Sequence, residues 1–439
     1  MGKAAEDRHV PPPGRGAAPA PVAPAAPDEG IITLVTLIIA AGFIVACIYH
    51  YLQGTFFGYG YPFNTFLFDP RDQFNDFFHT YRIAEDHNPY FTSYRFQGVY
   101  YPFTYFIVYF FTLLRPPVAL LLLSGSLTVF LVYYNWQGLG RHDAPAARKA
   151  LYCAILTFMG FPYLFLMDRG NTDIFILLTL GPMLILFLRK QWHASAVMLG
   201  LAAAFKLYPA VLGLLFLAER RYKAAFTAFA AFLVATLVGL LSFKGSFGAN
   251  LSYVLHGFGS EIQQNPMLLL DTNVLQRSIT IFSLVKWFLI QTGLYTVVSQ
   301  PIGMRIYVAF VGCVFLFVAW YVVFREQRLW RRVFLLTIAS ILLPHVSGDH
   351  RLVLLYLPFM LFIREASGRL DRTAAVLFAL LMVPKAYYFM YRTTLSDSPG
   401  GVAEGVVINP LLLIALGGVI LYGGWREWTA GSATRTNSD

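Results

Sequence analysis

The sequence has 439 residues, of which 57% are hydrophobic and only 13% are charged. About a quarter of a soluble protein is charged, and a globule of this length could not bury so much apolar surface. The composition therefore excludes a cytosolic enzyme, a secreted disulfide scaffold and a disordered regulator, and it indicates a chain that lies mostly in lipid. The net charge of +10 is typical of the basic cytoplasmic loops of a membrane protein, so we expect no nucleic-acid partner.

The chain divides into one membrane domain and two tails. Residues 1–30 are rich in proline and alanine, a composition that cannot hold a helix, and we expect a disordered cytoplasmic tail. A single transmembrane domain is predicted over 31–428. It contains a first external loop at 53–100, which carries a candidate acid, and a second large external loop at 244–277. A short cytoplasmic tail, 429–439, follows.

The apolar runs predict an all-α polytopic membrane protein with about 10–13 transmembrane or re-entrant helices and external amphipathic helices. The run at 101–114 is short and ends at prolines, so we expect it to dip into the membrane without crossing. The run at 195–218 holds Lys206 and Pro209 in its middle, which predicts a broken hairpin. Basic clusters are assigned to the cytoplasm, and parity then places the polar segments on the extracytoplasmic face of the plasma (inner) membrane.

Three aspartates, Asp69, Asp72 and Asp76, lie in a short window of the first external loop. After Asp76, the apolar and aromatic residues Phe77, Tyr81 and Ala84 recur with helical spacing, and the pattern ends at Asn88-Pro89. This predicts an amphipathic helix on the membrane surface. A carboxylate at the start of this helix would face the lipid boundary, where it is suited to act as a general base toward a sugar hydroxyl. The alternative is a solvated loop in which an aspartate only caps the helix.

Four polar residues, Asp168, Arg169, Asn171 and Asp173, lie where one apolar run ends and the next begins. Polar groups at this depth are costly unless they are used, and arginine commonly binds phosphate. A plain capped hairpin with Gly170 at the turn is the alternative.

Lys206 lies in the middle of an apolar run and is followed closely by Tyr208. The distance from either basic boundary is too long for the ammonium group to reach water easily. A lysine at this depth is a functional candidate by default, with a lipid phosphate as its partner. The alternative is a buried pair with a carboxylate.

His345, Asp349, His350 and Arg351 fall between two apolar runs on the predicted outer face. Their spacing matches no standard zinc motif, so we expect no metal there. Hydrogen bonding to a sugar or a phosphate is the functional interpretation, and an ordinary polar turn is the alternative.

Several stretches together resemble the integral-membrane glycosyltransferases of the GT-C superfamily, in particular glycosyltransferase family 87. The resemblance extends over about 60–360. It rests on these pieces: Asp76-Phe77 with Tyr81, Ala84 and Asn88-Pro89-Tyr90; Tyr101-Pro102-Phe103; Arg169-Gly170-Asn171-Thr172-Asp173; Lys206-Leu207-Tyr208-Pro209 with Glu219-Arg220-Arg221; and Pro344 to His350.

The resemblance implies an inverting transferase that moves a hexose from a polyprenyl-phosphate donor to a lipid-linked or glycolipid acceptor. Members that resemble this chain include mannosyltransferases, so mannose is the expected sugar. It implies Asp76 as the general base, with Asp69 and Asp72 as alternatives. Membrane lipids and the lipid-linked donor and acceptor are the expected partners, and no cofactor is expected. The donor phosphate and sugar are expected to contact a larger set: Arg169, Asn171, Asp173, Lys206, Tyr208, His345, His350 and Arg351.

A transporter or flippase of a lipid-linked sugar is the alternative function. Such a protein would spread polar groups through the membrane and would contain a pseudo-symmetric pair of broken helices. The polar groups here cluster on one predicted face, and no internal repeat is visible, so the sequence favours the enzyme.

Overall fold

The computed structural model describes residues 28–92, 98–257, 278–294, 301–387 and 403–436. These residues form 17 helices, joined by turns and short 3₁₀ segments, and the part described contains one isolated β-bridge, between Ser278 and Gly348. The helices are α1 (Glu29–Thr55), α2 (Asn75–Glu85), α3 (Pro102–Thr112), α4 (Pro116–Gly138), α5 (Ala146–Phe158), α6 (Phe161–Arg169), α7 (Asp173–Leu188), α8 (Trp192–Phe205), α9 (Leu214–Ala218), α10 (Tyr222–Ser242), α11 (Phe247–Ser252), α12 (Ile281–Gln291), α13 (Pro301–Phe324), α14 (Leu329–Leu342), α15 (Tyr356–Phe362), α16 (Arg369–Met382) and α17 (Gly405–Thr436).

Five of these helices are long and apolar enough to cross a membrane, and a sixth span results if the bent pair α5 and α6 is counted as one. The five are α1, α4, α10, α13 and α17. Shorter apolar helices, among them α3, α7, α8 and α12, pack between them. The expected all-α polytopic membrane fold is therefore confirmed, with fewer full-length helices than apolar runs.

Local sequence explains where the long helices begin. The Asp28 side chain accepts a hydrogen bond from the amide of Gly30 at 2.8 Å and so caps α1. Two prolines open α4, at positions where no helical hydrogen bond is lost. Small residues let α8 and α10 pack closely, since a Cβ on Gly200 would lie only 2.4 Å from the carbonyl oxygen of Ala228. In lipid no hydrophobic effect drives helices together, so van der Waals contact between closely packed helices stabilises their association instead.

Two of the irregular runs are short or broken, as the sequence predicts. Helix α3 has 11 residues and is about 16 Å long, roughly half the thickness of the hydrocarbon core. Helix α8 ends at Phe205, Lys206 is extended, and a 3₁₀ segment, Tyr208–Gly213, leads into α9. The break places Lys206 in the interior of the protein.

Several elements run between two ends of the molecule. Helix α7 begins at Asp173 and is followed by Arg189, 16 helical residues later, a length of about 24 Å. The 3₁₀ segment Asp349–Leu355 and α15 run in the same sense and are followed by Arg364. We call the end that contains Asp76 and Asp173 the polar end, and the end that contains Arg189 and Arg364, together with Arg141 after α4, the basic end.

Some predicted segments extend beyond the described residues. The tail 1–30 is described only from Asp28 onward, and the second external loop only from 244 to 257. Helix α17 continues to Thr436, so most of the predicted tail 429–439 belongs to a helix. A charged and polar sequence that directly follows an apolar helix can extend it by further turns, since helix propensity does not require apolar residues.

Candidate functional site

Helix α2 carries Asp76 in its first turn. Its face with Phe77, Tyr81 and Ala84 is buried, as the helical spacing predicts. The segment before the helix is anchored by Asp168, whose carboxylate accepts from the amide of Phe68 at 3.0 Å. The carbonyl of Asp168 also accepts from the amide of the residue before α2, at 2.6 Å. Asp168 therefore helps to fix the position of the helix.

The turn between α6 and α7 brings two further polar side chains to Asp76. Gly170 ends α6 in the left-handed region, at φ +60°, where glycine has no steric penalty. A Cβ on this residue would lie 2.7 Å from the Cβ of Phe77. The backbone of the turn thus packs directly on α2, and Arg169 and Asn171 lie on either side of the turn glycine.

Both oxygens of the Asp76 carboxylate accept hydrogen bonds. Arg169 forms an ion pair with Oδ1, and the Asn171 amide Nδ2 donates to Oδ2 at 2.7 Å. The guanidinium of Arg169 also lies 4.0 Å from the ring centroid of Phe68. The Asp76 side chain retains 21% of its exposure, so the carboxylate is held in one orientation and stays accessible.

Lys206 continues this network into the protein interior. Its Nζ donates to Oδ1 of Asn171 at 2.8 Å and to Oδ1 of Asp173 at 2.5 Å. The Asp173 side chain is fully buried, and the Nε2 atom of His350 lies 3.4 Å from its second oxygen. Asn171 therefore links the pair of Arg169 and Asp76 to the pair of Lys206 and Asp173.

Arg351 is the cation of this cluster that makes no ion pair within 4 Å among the described residues, although its charge acts on Asp173. Its guanidinium carbon lies 4.5 Å from the ring centroid of Tyr208. Its Nε and Nη1 atoms are buried, and neither meets a hydrogen-bond acceptor in the described portion of the chain. Buried donors of a charged group are costly when unpaired, so these atoms mark a place for an anion.

Burial and charge set the protonation states at the exposed side of the cluster. Burial alone would raise the pKa of Asp76, but the charge of Arg169 and the hydrogen bonds from Arg169 and Asn171 outweigh it and lower that pKa below its ordinary value. Burial lowers the pKa of His350 to about 4. At neutral pH, Asp76 is therefore ionised and His350 is uncharged.

The structure separates the candidate residues into two groups. Asp76, Arg169, Asn171, Asp173, Lys206, Tyr208, His350 and Arg351 come together at the polar end. Asp69 and Asp72 have different surroundings, because Asp69 pairs with Arg71 at 2.9 Å and Asp72 is exposed. His345 lies at the edge of the cluster: its carbonyl accepts from Thr280 at 3.4 Å, and burial together with the charge of Arg351 lowers the pKa of its imidazole.

Two aromatic contacts of the cluster are not predicted from the sequence. The ring of Phe68 lies against Arg169, and the ring centroid of Tyr100 lies 5.0 Å from the Nζ atom of Lys206. Aromatic residues are so frequent in this chain, 17% of all residues, that position in the sequence does not distinguish these two. Among the residues described, no group of three or more His, Cys, Asp or Glu side chains is placed to hold a metal ion.

The charges of the cluster do not cancel. Among the residues named above, Arg169, Lys206 and Arg351 are cationic, Asp76 and Asp173 are anionic, and His350 is neutral, which gives this set one positive charge. The buried carboxylates of Asp168 and Asp349 are outside this count and accept hydrogen bonds from Phe68 and Asn409. A site of this kind combines an oriented, accessible carboxylate with an uncompensated cation. It is suited to a substrate that carries one negative charge and a hydroxyl to be activated.

Comparison with known proteins identifies the family of this chain. Searches of curated proteins and of solved structures found no significant match. The family model of glycosyltransferase family 87 matches residues 99–348, which is more than half of the chain. The matched region includes the turn at Arg169 and the break at Lys206. Asp76 precedes this region, and His350 lies just beyond it. The chain therefore belongs to glycosyltransferase family 87 and is a multi-pass membrane glycosyltransferase.

Proposed function

We propose that the cluster at the polar end is the catalytic centre of a transferase that uses a polyprenyl-phosphate sugar. In this proposal a hexose, with mannose as the first candidate, moves to a lipid-linked or glycolipid acceptor with inversion at the sugar carbon. The reaction takes place at the extracytoplasmic face of the plasma (inner) membrane. Asp76 is the general base of the reaction.

The observation that carries the proposal is the pairing pattern of the three cations. Arg169 and Lys206 are each bound to a carboxylate, whereas the buried Nε and Nη1 atoms of Arg351 are not. The cluster keeps one net positive charge, and a phosphodiester of polyprenol and sugar carries one negative charge. Arg351 is therefore the best candidate for the group that binds the donor phosphate, because arginine matches the phosphate oxygens with two parallel hydrogen bonds.

The proposed reaction follows from this placement. Asp76 accepts the proton of an acceptor hydroxyl, and the oxygen forms a bond to the anomeric carbon of the donor sugar. The bond from that carbon to the phosphate oxygen breaks, and the phosphate monoester of polyprenol leaves with the electron pair. The charge that develops on the leaving phosphate is stabilised by Arg351 and by the positive charge of the neighbouring Lys206.

Asp76 keeps free capacity for this role although both of its oxygens are engaged. Each carboxylate oxygen has two lone pairs, and Arg169 and Asn171 use one on each. A lowered pKa makes the carboxylate a weaker base but keeps it ionised, and the fixed orientation supplies the proximity that general-base catalysis needs.

The donor is tested with the purified full-length protein in liposomes. One set receives radiolabelled polyprenyl-phosphate mannose and a glycolipid acceptor, and a second set receives radiolabelled nucleotide-diphosphate mannose. We expect label to reach the glycolipid only from the polyprenyl-phosphate donor. Transfer from the nucleotide sugar alone would contradict the proposed donor class.

The role of Arg351 is tested in the same assay. The Arg351→Gln variant should raise the donor KM by roughly tenfold or more, since a charge-assisted hydrogen bond is lost. Arg71→Gln is the matched control, because Arg71 is an exposed arginine that pairs with Asp69. An unchanged donor KM in Arg351→Gln would remove this residue from the phosphate site.

A further inference from the structure

A second cavity lies at the basic end of the molecule, far from the catalytic cluster. It has a volume of about 390 Å³ and opens between the ends of α4, α7 and α15. Three arginines line it: Arg141, Arg189 and Arg364. Helix α7 joins Asp173 to Arg189 over about 24 Å, so this cavity cannot belong to the site at the polar end.

Neither an ion pair nor a side-chain hydrogen bond is recorded for the three arginines within the described ranges, and the only carboxylate that lines the cavity is Glu365. In the described residues Arg220 and Arg369 also make no ion pair, but among these arginines only Arg141, Arg189 and Arg364 line the cavity. Five arginines near them do form ion pairs with carboxylates. These pairs are Arg148–Glu29, Arg328–Glu427, Arg331–Glu427, Arg332–Glu219 and Arg372–Asp28.

The positive charges around the cavity repel one another. Arg141 and Arg189 are exposed and Arg364 is half-buried. The burial of Arg364 together with the charge of Arg141 lowers its pKa against the opposing charge of Glu365. Basic residues are frequent at the cytoplasmic ends of membrane helices, which accounts for the charges. It does not account for a cavity that three of them line with Glu365 as the only carboxylate of the lining, which leaves a positive charge that an anion would stabilise.

An apolar groove leads from this cavity along the lipid-facing side of α4. The groove is lined by residues with helical spacing, from Leu121 through Gly125 and Val129 to Tyr133, and Tyr133 also lines the arginine cavity. Nothing lies within 4 Å of a Cβ added at Gly125, so the missing side chain opens the groove. Its 12-residue length on α4 corresponds to about 18 Å, similar to the roughly 15 Å of hydrocarbon in one leaflet.

We propose that the cavity and groove bind one anionic membrane phospholipid, with its phosphate among Arg141, Arg189 and Arg364 and an acyl chain along α4. The continuity of a cationic cavity with an apolar channel of one-leaflet length favours a lipid over a free phosphate ester. Planar guanidinium groups suit a phosphate with two or more exposed oxygens. The site lies on the membrane face opposite the transfer reaction and does not depend on the identity of the sugar donor.

The test is a lipid titration of the purified full-length protein in detergent, followed by native mass spectrometry. Phosphatidylglycerol is the probe, phosphatidylcholine is the zwitterionic comparison, and inorganic phosphate is the competitor. We expect retention of one phosphatidylglycerol with clear preference over phosphatidylcholine. The triple variant Arg141→Gln, Arg189→Gln, Arg364→Gln should weaken binding by at least about tenfold.

Two further variants make the result decisive. The triple variant Arg220→Gln, Lys223→Gln, Arg369→Gln removes the same charge from exposed positions outside the cavity and should bind phosphatidylglycerol like the unaltered protein. Gly125→Leu fills the groove and should weaken the binding of long-chain phosphatidylglycerol but not of its six-carbon-chain form.

Four results would overturn the proposal. Equal losses in both triple variants would show a general charge effect, and equal binding of phosphatidylcholine would remove the selectivity for an anion. Complete displacement by inorganic phosphate, with no effect of Gly125→Leu, would assign the cavity to a soluble phosphate. Binding of uncharged polyprenol in the groove, unaffected by the arginine substitutions, would assign the groove to a different lipid.

Discussion

At the scale of single residues, Lys206 and Asp173 depend on each other. Asp173 is fully buried and its Oδ1 accepts from Lys206 at 2.5 Å. Lys206→Met should destabilise the protein by about 3–5 kcal/mol, because it leaves a buried charge unpaired. The midpoint of thermal unfolding in detergent measures this loss, with Lys223→Met at an exposed position as the control.

The double variant Lys206→Met, Asp173→Asn separates stability from activity. Removing both charges leaves no unpaired ion from this pair, so most of the stability should return. Transfer activity should stay low, since the network that links Asn171 to the interior is absent. A double variant as unstable as Lys206→Met would contradict the account of this pair.

His350 gives the protein a pH-dependent stability. Burial lowers its pKa to about 4, from 6.5 in the unfolded chain, so between these values the unfolded state binds more protons than the folded state. The contribution of neutral His350 to the free energy of unfolding is therefore fully present above about pH 6.5, and it is lost as the pH falls toward 4. Unfolding midpoints measured from pH 4 to pH 8 should show a smaller acid loss in His350→Gln than in the control His87→Gln, and equal pH profiles would count against this role.

The sequence identifies most of the cluster residues but not their partners. Ionisable side chains in a lipid-embedded chain stand out because they are costly there, which is why Asp76, Arg169 and Lys206 are all predicted. Arg169 and Asp76 are 93 residues apart, and nothing in either local sequence shows that they pair. The alternative interpretation of Lys206, a buried pair with a carboxylate, is the arrangement that the structure contains. Arg351 is instead the cluster cation whose buried Nε and Nη1 atoms have no hydrogen-bond partner among the described residues.

At the scale of the elements, the turn at Gly170 controls the position of Asp76. Gly170→Ala would force a Cβ into a left-handed residue and to within 2.7 Å of Phe77 on α2. The strain and the contact together should cost about 2–4 kcal/mol, and the shift of α2 should lower transfer activity as well.

Gly58→Ala is the matched control for this turn. Gly58 also has a positive φ, +66°, but nothing lies within 4 Å of an added Cβ. This variant should lose only about 1 kcal/mol from backbone strain and should keep its activity. If both variants lose the same stability and both stay active, the contact between the turn and Phe77 has no role in positioning Asp76.

The irregular helices show how far local sequence determines the elements. The short α3 and the break after α8 are predictable from Arg115-Pro116 and from Lys206 with Pro209, because proline and charge end apolar helices locally. The bend between α5 and α6 is not predicted. It is 48° and lies at Gly160, where an added Cβ would be 2.1 Å from the hydroxyl of Tyr356, a tertiary contact that the local sequence does not reveal.

At the scale of the whole molecule, the polar and basic ends should face opposite sides of the membrane. Lys244 is exposed near the polar end, where its carbonyl accepts from Asn88 at 2.6 Å, and Arg369 is exposed at the basic end. In a variant whose exposed Cys47 and Cys313 are replaced by serine, Lys244→Cys should react with a membrane-impermeant maleimide on intact cells. Arg369→Cys should react only after permeabilisation, and the reverse pattern would refute the proposed face.

The most direct measurement of the central claim compares the three aspartates in the reconstituted transfer assay. Asp76→Asn should lower the rate of sugar transfer at least about a hundredfold, the usual contribution of a general base. Asp69→Asn and Asp72→Asn should keep nearly full activity, because Asp69 pairs with the exposed Arg71 and Asp72 is exposed. Full activity in Asp76→Asn, or loss of activity confined to Asp69→Asn or Asp72→Asn, would show that the catalytic carboxylate is not at the polar cluster.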